Sequence, residues 1–524
     1  MKKLFFSVVL ALCFVQVFAQ PKTAADFNAK YLNWYNLDYA NNQVMGASVD
    51  KAYAELLNGK PAKAVITVAV IDGGIDINHD DLKGRIWINK GELANNGVDD
   101  DGNGYIDDVN GWNFLGNAKG ESILYETFEK TRVLREGAQN PDYDRAKEAY
   151  DKDLTEQLQR KDNLVKFEEA YLRSKEIIKK ATGIEVHNAE DCAKVRSTNK
   201  QVVAACSFLM SRYTKGFTEA SLERMKNRNN EYLTKYLNLE FNPRSLVGDN
   251  PADITDKKYG NGDVVGHRSS HGTCSAGIIA GIRGNGIGVE GVATDVAIMV
   301  LKVVPDGDER DKDVALAIRY AVDNGARIIN MSFGKAFSPQ RVYVEDAIRY
   351  AEQKNVLIVH SAGNEGKNID DNMVYPTDVY NDDSYASNFI CVGANGMVLN
   401  DSLPAVFSNY GTERVSLFAP GEDIVALDTN QSMDIHSGTS QAGPVVSGVA
   451  AVLLAHYPEL TPSQVKKILL ESVMDLKKQK VLAPNLEKPK RKSKKFGKLC
   501  ASGGVVNLYK ALQKAQQLSQ QGML

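Results

Sequence analysis

The chain has 524 residues, of which 43% are hydrophobic and 25% charged, with a formal net charge of −3. That length supports a large core and, taken alone, roughly two to four domains. A near-neutral balance without a long basic face argues against a nucleic-acid-binding protein.

At the N-terminus, Lys2 and Lys3 precede an apolar run from Leu4 to Phe18, broken only by Ser7 and Gln16. With Val17-Phe18-Ala19 at its end, the run reads as a secretory signal peptide over residues 1–19, cut after Ala19. It is shorter than the roughly 20 apolar residues of a spanning helix. Cys13 follows Leu12, too bulky for a lipid-attachment site. No later segment is apolar enough to span a bilayer, so the expectation is an exported protein, extracellular or periplasmic, without a transmembrane anchor. Cys192, Cys206, Cys274, Cys391 and Cys500 remain after removal of the signal. Their odd count leaves at least one thiol free or paired between molecules. Cys192 with Cys206 is the expected bridge. In one straight helix they would stand about 21 Å apart, so the bridge requires a helical hairpin.

Short β-branched runs follow: Val65 to Ile71, Ala297 to Leu301, Arg327 to Met331 and Val356 to Val359. They are apolar nearly throughout rather than alternating, as in parallel strands covered on both faces. Helical segments separate them, such as Val314 to Val322 with Gly325 as its stop. The alternation predicts an α/β fold with a mostly parallel central sheet, whose ligands gather at the carboxyl ends of the strands. Residues 118–260 differ, being Lys/Glu-rich with few β-branched runs. Leu158, Val165 and Leu172 recur every seven residues beside Leu164, Tyr171 and Ile178, which predicts one apolar stripe on a long helix. This block reads as an inserted α-helical subdomain that divides the main domain into 20–117 and 261–524. Near the end, Thr461-Pro462-Ser463-Gln464 is a capping box opening a helix to about Val473. Lys488 to Lys498 reads as a solvated basic loop, and a closing helix is expected from Val505 to Leu518.

Three polar residues sit where apolar elements begin or end. Asp72 follows Val68-Ala69-Val70-Ile71, His271 opens the small-residue segment Ser275 to Ala280, and Ser440 lies in "SGTSQAGP". Singly they suit a turn, a structural histidine and a helix cap. Together they are a carboxylate, an imidazole and a hydroxyl, the groups of a nucleophilic triad. The sequence resembles the subtilisin-like serine proteases, the subtilases, through "VAVIDGGID", "HGTCSAGIIAG", "GTSQAGPVVSGVAA", "INMSFG" and "HSAGNEG". The resemblance implies a subtilisin-like three-layer fold, with Ser440 as nucleophile, His271 as general base and then acid, and Asp72 as the orienting carboxylate. It implies Asn364 as the side-chain donor of the oxyanion hole. It also implies Ser332-Phe333-Gly334 and Ser361-Ala362-Gly363 as the substrate-binding edges of the cleft. Three positions depart from the family pattern: Gly73 in place of Ser or Thr, Cys274 in place of a second His, and Gln441 in place of Met. Cys274 reads either as a free thiol beneath the imidazole or as a small buried apolar residue.

In "GVDDDGNGYIDDVNGW", Asp99, Asp101 and Asn103 occupy positions 1, 3 and 5 of a calcium-loop spacing, with Gly104 at 6. Position 12 is Asn110, so Asp107 or Asp108 would close the shell, with Tyr105 among the candidate ligands. The expectation is a structural Ca²⁺, the triad needing no metal. The combined reading is a secreted serine endopeptidase acting on proteins or peptides. A catalytically silent peptide-binding protein of the same fold and a serine esterase are the alternatives.

Overall fold

The computed structural model describes residues 21–487 and 490–523. The signal-peptide expectation for residues 1–19 lies outside them. In chain order the strands are β1 (Ile66–Asp72), β2 (Gly111–Asn113), β3 (Val296–Lys302), β4 (Ile328–Met331), β5 (Leu357–Ser361), β6 (Phe389–Asn395) and β7 (Leu417–Pro420). They continue with β8 (Ile424–Asp428), β9 (Ser432–His436), β10 (Met474–Asp475), β11 (Lys480–Leu482), β12 (Ser493–Lys495) and β13 (Gly504–Val505). Nine of these form one sheet in the order β2-β3-β1-β4-β5-β6-β7-β13-β10. Neighbours run parallel except β10 and β13. The chain is therefore α/β with a mostly parallel sheet, covered on both faces.

The unbroken apolar runs follow from that cover. Val68 and Val70 of β1 enter one core with Ile278 and Val449, whereas Ala69 and Ile71 enter a second with Leu316 and Ile348. The main-domain helices doing the covering are Ser269–Ala280, Thr439–His456, Asp311–Asp323 and Arg341–Gln353. Thr439–His456 is buried at every position except Ser440 and His456. It is a central helix, largely apolar and buried on every side, and Ser440 at its start is left partly open. The N-terminal segment also belongs to this body. Trp34 and Tyr35 are fully buried, their side chains donating to the carbonyls of Asp423 (3.1 Å) and Glu290 (2.9 Å).

The inserted stretch contains α1 (Glu129–Glu136), α2 (Tyr143–Thr182), α3 (Ala189–Lys194), α4 (Lys200–Tyr213) and α5 (Glu219–Glu231). Two expectations for it are corrected. Tyr171 and Ile178 of α2 are buried with Val202 and Leu209 of α4, but Leu158, Val165 and Leu172 are 48%, 47% and 56% exposed. Adjacent helical positions lie about 100° apart, so the two heptad sets cannot face one partner, and the set containing Tyr171 and Ile178 does. The Cys192–Cys206 bridge is also absent. Helices α3 and α4 make the required hairpin, yet both cysteines are free thiols, and Cys206 Sγ donates to the Cys192 carbonyl at 3.2 Å.

At the C-terminal end, the Thr461 capping box forms as read from the sequence, with Gln464 as its reciprocal partner. Within the expected basic loop, Ser493–Lys495 pairs antiparallel with Lys480–Leu482 and Phe496 is buried. The closing helix spans Leu508–Gln520, later than expected, since Val505 is spent pairing with Phe418.

Candidate active site

Parallel strands release their carboxyl ends along one edge, where the chain must turn and where polar side chains are tolerated. Asp72 ends β1, Ser332 follows β4 and Ser361 ends β5. His271 sits in the first turn of helix Ser269–Ala280, and Ser440 in the first turn of Thr439–His456. Gly272 permits the first helix to approach, since a Cβ there would stand 2.1 Å from the Gly74 carbonyl oxygen.

Asp72 is buried and both its oxygens reach His271 Nδ1, at 2.9 and 2.8 Å. The Gly73 N–H also donates to Asp72 Oδ1 at 2.7 Å. The carboxylate thus fixes the tautomer and leaves Nε2 as the nitrogen able to take a proton. The negative charge of Asp72 raises the imidazole pKa above its ordinary value, against the opposing effects of burial and of Arg268.

Ser440 Oγ donates to the Ser332 carbonyl at 3.0 Å. In this rotamer the hydroxyl rests on the neighbouring strand end. Asn364 is oriented unambiguously. Its Oδ1 accepts from Thr439 N (2.8 Å) and Thr439 Oγ1 (3.0 Å), which leaves its amide NH₂ as the outward donor. A methyl group placed on Gly438 would stand 2.9 Å from Gln441 Oε1, 3.5 Å from Asn364 Nδ2 and 3.6 Å from Ser440 N. The Asn364 amide nitrogen and the Ser440 backbone nitrogen thus lie near the start of one helix, its positive end.

A comparison with family descriptions matches residues 63–498 to the "Subtilase family". The chain belongs to the subtilase family. It is 37% identical over 202 residues to "Thermophilic serine proteinase" of Bacillus sp. (strain AK1), covering 38% of this chain and 45% of that one. It is 32% identical over 243 residues to "Major intracellular serine protease" of Bacillus subtilis (strain 168), covering 44% and 72% of the two chains. It is 33% identical over 214 residues to "Thermitase" of Thermoactinomyces vulgaris, covering 40% and 71%. The matched segment is thus less than half the length of the thermophilic proteinase.

In this subtilase, a cleft of about 670 Å³ is lined by Ser332, Phe333, Gly334, Ser361, Gly363, Asn364 and Ser440. The Ala362 side chain is fully buried in the second core and is not among the side chains lining the cleft. His360, which begins the "HSAGNEG" stretch, is a functional neighbour that the sequence reading left without a role. Burial pushes its pKa down to about 4, so it is neutral, and Nε2 holds the Phe333 carbonyl at 2.8 Å. A polar residue inside an otherwise apolar strand was the available signal.

The three departures from the family pattern have local causes. A Cβ on residue 73 would meet Arg268 Cβ at 2.8 Å, so glycine accommodates the arginine. Cys274 and Gln441 touch each other, Gln441 Nε2 donating to Cys274 Sγ at 3.4 Å. Cys274 is fully buried and its thiol pKa is pushed up to about 12 by that burial, which favours the small buried residue over the reactive thiol.

The acidic loop is only partly as expected. Glu92, Asp99 and Asp101 each place a carboxylate oxygen within 4.8 Å of the others. Asp107 and Asp108, the expected closing ligands, are hydrogen-bonded within the loop and to its surroundings. Asp107 accepts from Asn96 N and Gly97 N at 3.0 and 2.9 Å, and buried Asp108 accepts from Tyr320, Asn89 and Asn103 side chains. Asn103 Nδ2 donates to Asp101 Oδ2, and the Tyr105 ring packs edge-on against Trp112 and Tyr320. Glu92 lies seven positions before Asp99, outside the loop spacing, and was missed for that reason.

Proposed function

We propose that this subtilase is an exported serine endopeptidase that cleaves peptide bonds through an acyl-enzyme at Ser440. The reading is supported by the Asp72–His271 hydrogen bonds and by Ser440 and Asn364 lying beside one helix start, next to the ends of β4 and β5. Ser440 Oγ leaves the Ser332 carbonyl, gives its proton to His271 Nε2 and attacks the substrate carbonyl carbon. Charge gathers on the carbonyl oxygen between Asn364 Nδ2 and Ser440 N–H. Collapse breaks the C–N bond as His271 returns the proton to the leaving amine, and water repeats the sequence to release the acid. Asp72 stabilises the imidazolium throughout.

The described residues contain no helix long and apolar enough to cross a membrane. Together with the N-terminal leader read from the sequence, this supports export. A fluorophosphonate probe and a peptide library, applied to wild type and Ser440→Ala, test the reading. Labelling and cleavage that both vanish in the variant support an endopeptidase. An unlabelled wild type would leave the silent binding protein, and labelling with ester but no peptide turnover would leave the esterase.

We also propose a structural Ca²⁺ at Glu92, Asp99 and Asp101. All three donors are hard carboxylate oxygens converging on one point, the chemistry Ca²⁺ prefers, and without a cation they would repel one another. The ion would pin the loop that precedes β2 and take no part in bond cleavage.

A further inference from the structure

The described residues from Lys477 to Lys498 include eight lysines and Arg491 against one acid, Glu487, in a chain whose net charge is −3. None of these nine cations is in an ion pair among the described residues. On the insertion's side of the cleft the cations are matched instead. Lys335, next to Gly334, pairs with Glu129 of α1 at 2.5 Å and with Asp311 at 2.8 Å. Lys130 pairs with Asp153 and lies over the Phe128 ring, which lines the cleft.

The unmatched charges are held in place rather than carried on a loose tail. Antiparallel pairing of β11 with β12 sets Lys480 directly opposite Lys495. Both are exposed, and like charges at facing positions destabilise a hairpin. Apolar anchors beneath it oppose that repulsion. Val481 is fully buried, and Phe496 packs edge-on against Phe418 with centroids 5.1 Å apart. Two acids adjoin the hairpin without neutralising it. Asp475 Oδ1 accepts from the Lys477 backbone N–H at 2.9 Å, and Asp401 Oδ1 from the Ser402 hydroxyl at 3.3 Å.

The hairpin borders the cleft. Lys494 lies over the Tyr410 ring at 4.9 Å, and the Tyr410 N–H donates to the carbonyl of Lys367, a lining residue. A Cβ on Gly366 would stand 3.0 Å from Leu486 N, so the segment between β11 and β12 packs against the loop that follows Asn364. Inside the cleft Lys367 shares the wall with Glu365 and Asp371, so charge there is mixed, and the one-sided excess lies on the hairpin. A polypeptide lying in the cleft can therefore extend onto it. The chemistry favours carboxylates over phosphates. The exposed cations are lysines, compact point charges, while Arg491, whose planar fork would suit phosphate, donates to Ser402 Oγ at 3.1 Å.

We propose that the β11–β12 hairpin is an exosite for an acidic segment, rich in Asp and Glu, of a protein substrate whose scissile bond lies in the cleft. The proposal rests on the proteolytic reading above. Attraction between solvated charges favours encounter and weakens with salt, so the exosite acts through KM and not on the chemical step.

The test uses the full chain and peptides that share one cleavable core. Each carries a flexible tail of fixed length, either Asp/Glu or Gly/Ser, on one side of the core or the other. The readout is kcat/KM for the acidic tail relative to the neutral one, at low and high ionic strength. In wild type the ratio should reach about tenfold at low salt with the tail on one side, and fall toward one at high salt. Lys480→Gln/Lys495→Gln should reduce it severalfold through the KM of the acidic-tailed peptide, and Lys480→Arg/Lys495→Arg should keep it. Removing the facing charges relieves a repulsion, so the glutamine pair should fold, and the salt series in wild type tests the exosite independently. A ratio near one at low salt, or one that the glutamine pair leaves unchanged, would overturn the exosite. Binding to phosphatidylserine vesicles or duplex DNA without an acidic-tail preference would overturn it too, and would assign the hairpin to that surface. Fluorophosphonate labelling separates the two levels. A labelled wild type with no tail preference sinks the exosite alone, and an unlabelled wild type that cleaves no peptide sinks the proteolytic reading with it.

Discussion

Ser332 and Ser440 exchange hydrogen bonds: Ser332 Oγ donates to the Ser440 carbonyl at 3.2 Å, and Ser440 Oγ donates to the Ser332 carbonyl at 3.0 Å. The first bond repairs a defect. Pro444 lies four residues after Ser440 and has no N–H to offer that carbonyl, as the helix would otherwise require. Ser361 Oγ supports the preceding carbonyl, of Thr439, at 2.8 Å. Two strand ends therefore hold the helix start that carries the nucleophile. Ser332→Ala should cost about 1–3 kcal/mol by leaving a buried carbonyl unsatisfied, read by denaturant unfolding. Its activity should fall more than that of a surface Ser→Ala control, because the helix start loses a restraint.

The donors beside Gly438 set a second expectation. Asn364→Leu should lower kcat by about 10²–10³ while KM changes little, since the amide meets charge only in the transition state. Steady-state kinetics decide it. A loss carried by KM would place Asn364 in ground-state binding instead.

The pH dependence follows from the Asp72–His271 pair. His271 must be neutral to accept the serine proton, and Asp72 raises its pKa above 6.5. The kcat/KM should therefore fall as pH drops through an apparent pKa above 6.5. Removing the charge with Asp72→Asn should shift that inflection down and cut the rate severely, about 10⁴-fold in comparable triads. An inflection that stays put in the variant would assign it to another group.

The ion cluster behind the cleft predicts a stability effect. Lys335→Met leaves Glu129 and Asp311 buried without their shared cation, for a loss of about 3–5 kcal/mol. Burial disfavours the Glu129 carboxylate, but Arg132 and Lys335 outweigh it and hold its pKa below the usual 4.5. A depressed carboxylate pKa stabilises the fold fully above about 4.5 and progressively less as pH falls below it. Thermal melts of the wild type should show that acid sensitivity, and Lys335→Met should weaken it.

Chelation tests the acidic loop. EDTA should lower the Tm, and added Ca²⁺ should restore it, with Glu92→Gln abolishing the response. A Tm indifferent to both reagents would make the loop a plain acidic turn.

Much of the site was legible because each piece of it announces itself locally. A carboxylate at the end of an apolar run, a histidine before a small-residue helix and a serine among glycines are patterns of a few consecutive residues. Glu92, His360 and Phe128 were not legible in that way. Their roles depend on segments brought alongside by folding, and the one local signal, a polar residue in the apolar run holding His360, does not say what it would touch. The misread stripe on α2 has the same origin, since periodicity reports that a helix has an apolar face without saying which neighbouring face finds a partner.

The chain's order of apolar runs and helix signals, read alone, was sufficient for the mostly parallel sheet of an α/β fold and for a long helix between its first strands. Only the folded molecule decided that Ser440 rests on Ser332, that Gln441 and Cys274 face each other, and that the insertion lines the cleft. The reason is physical: strand and helix identity is written in local backbone preference and burial pattern, whereas such contacts join residues scores to hundreds of positions apart and exist only once the chain has closed on itself.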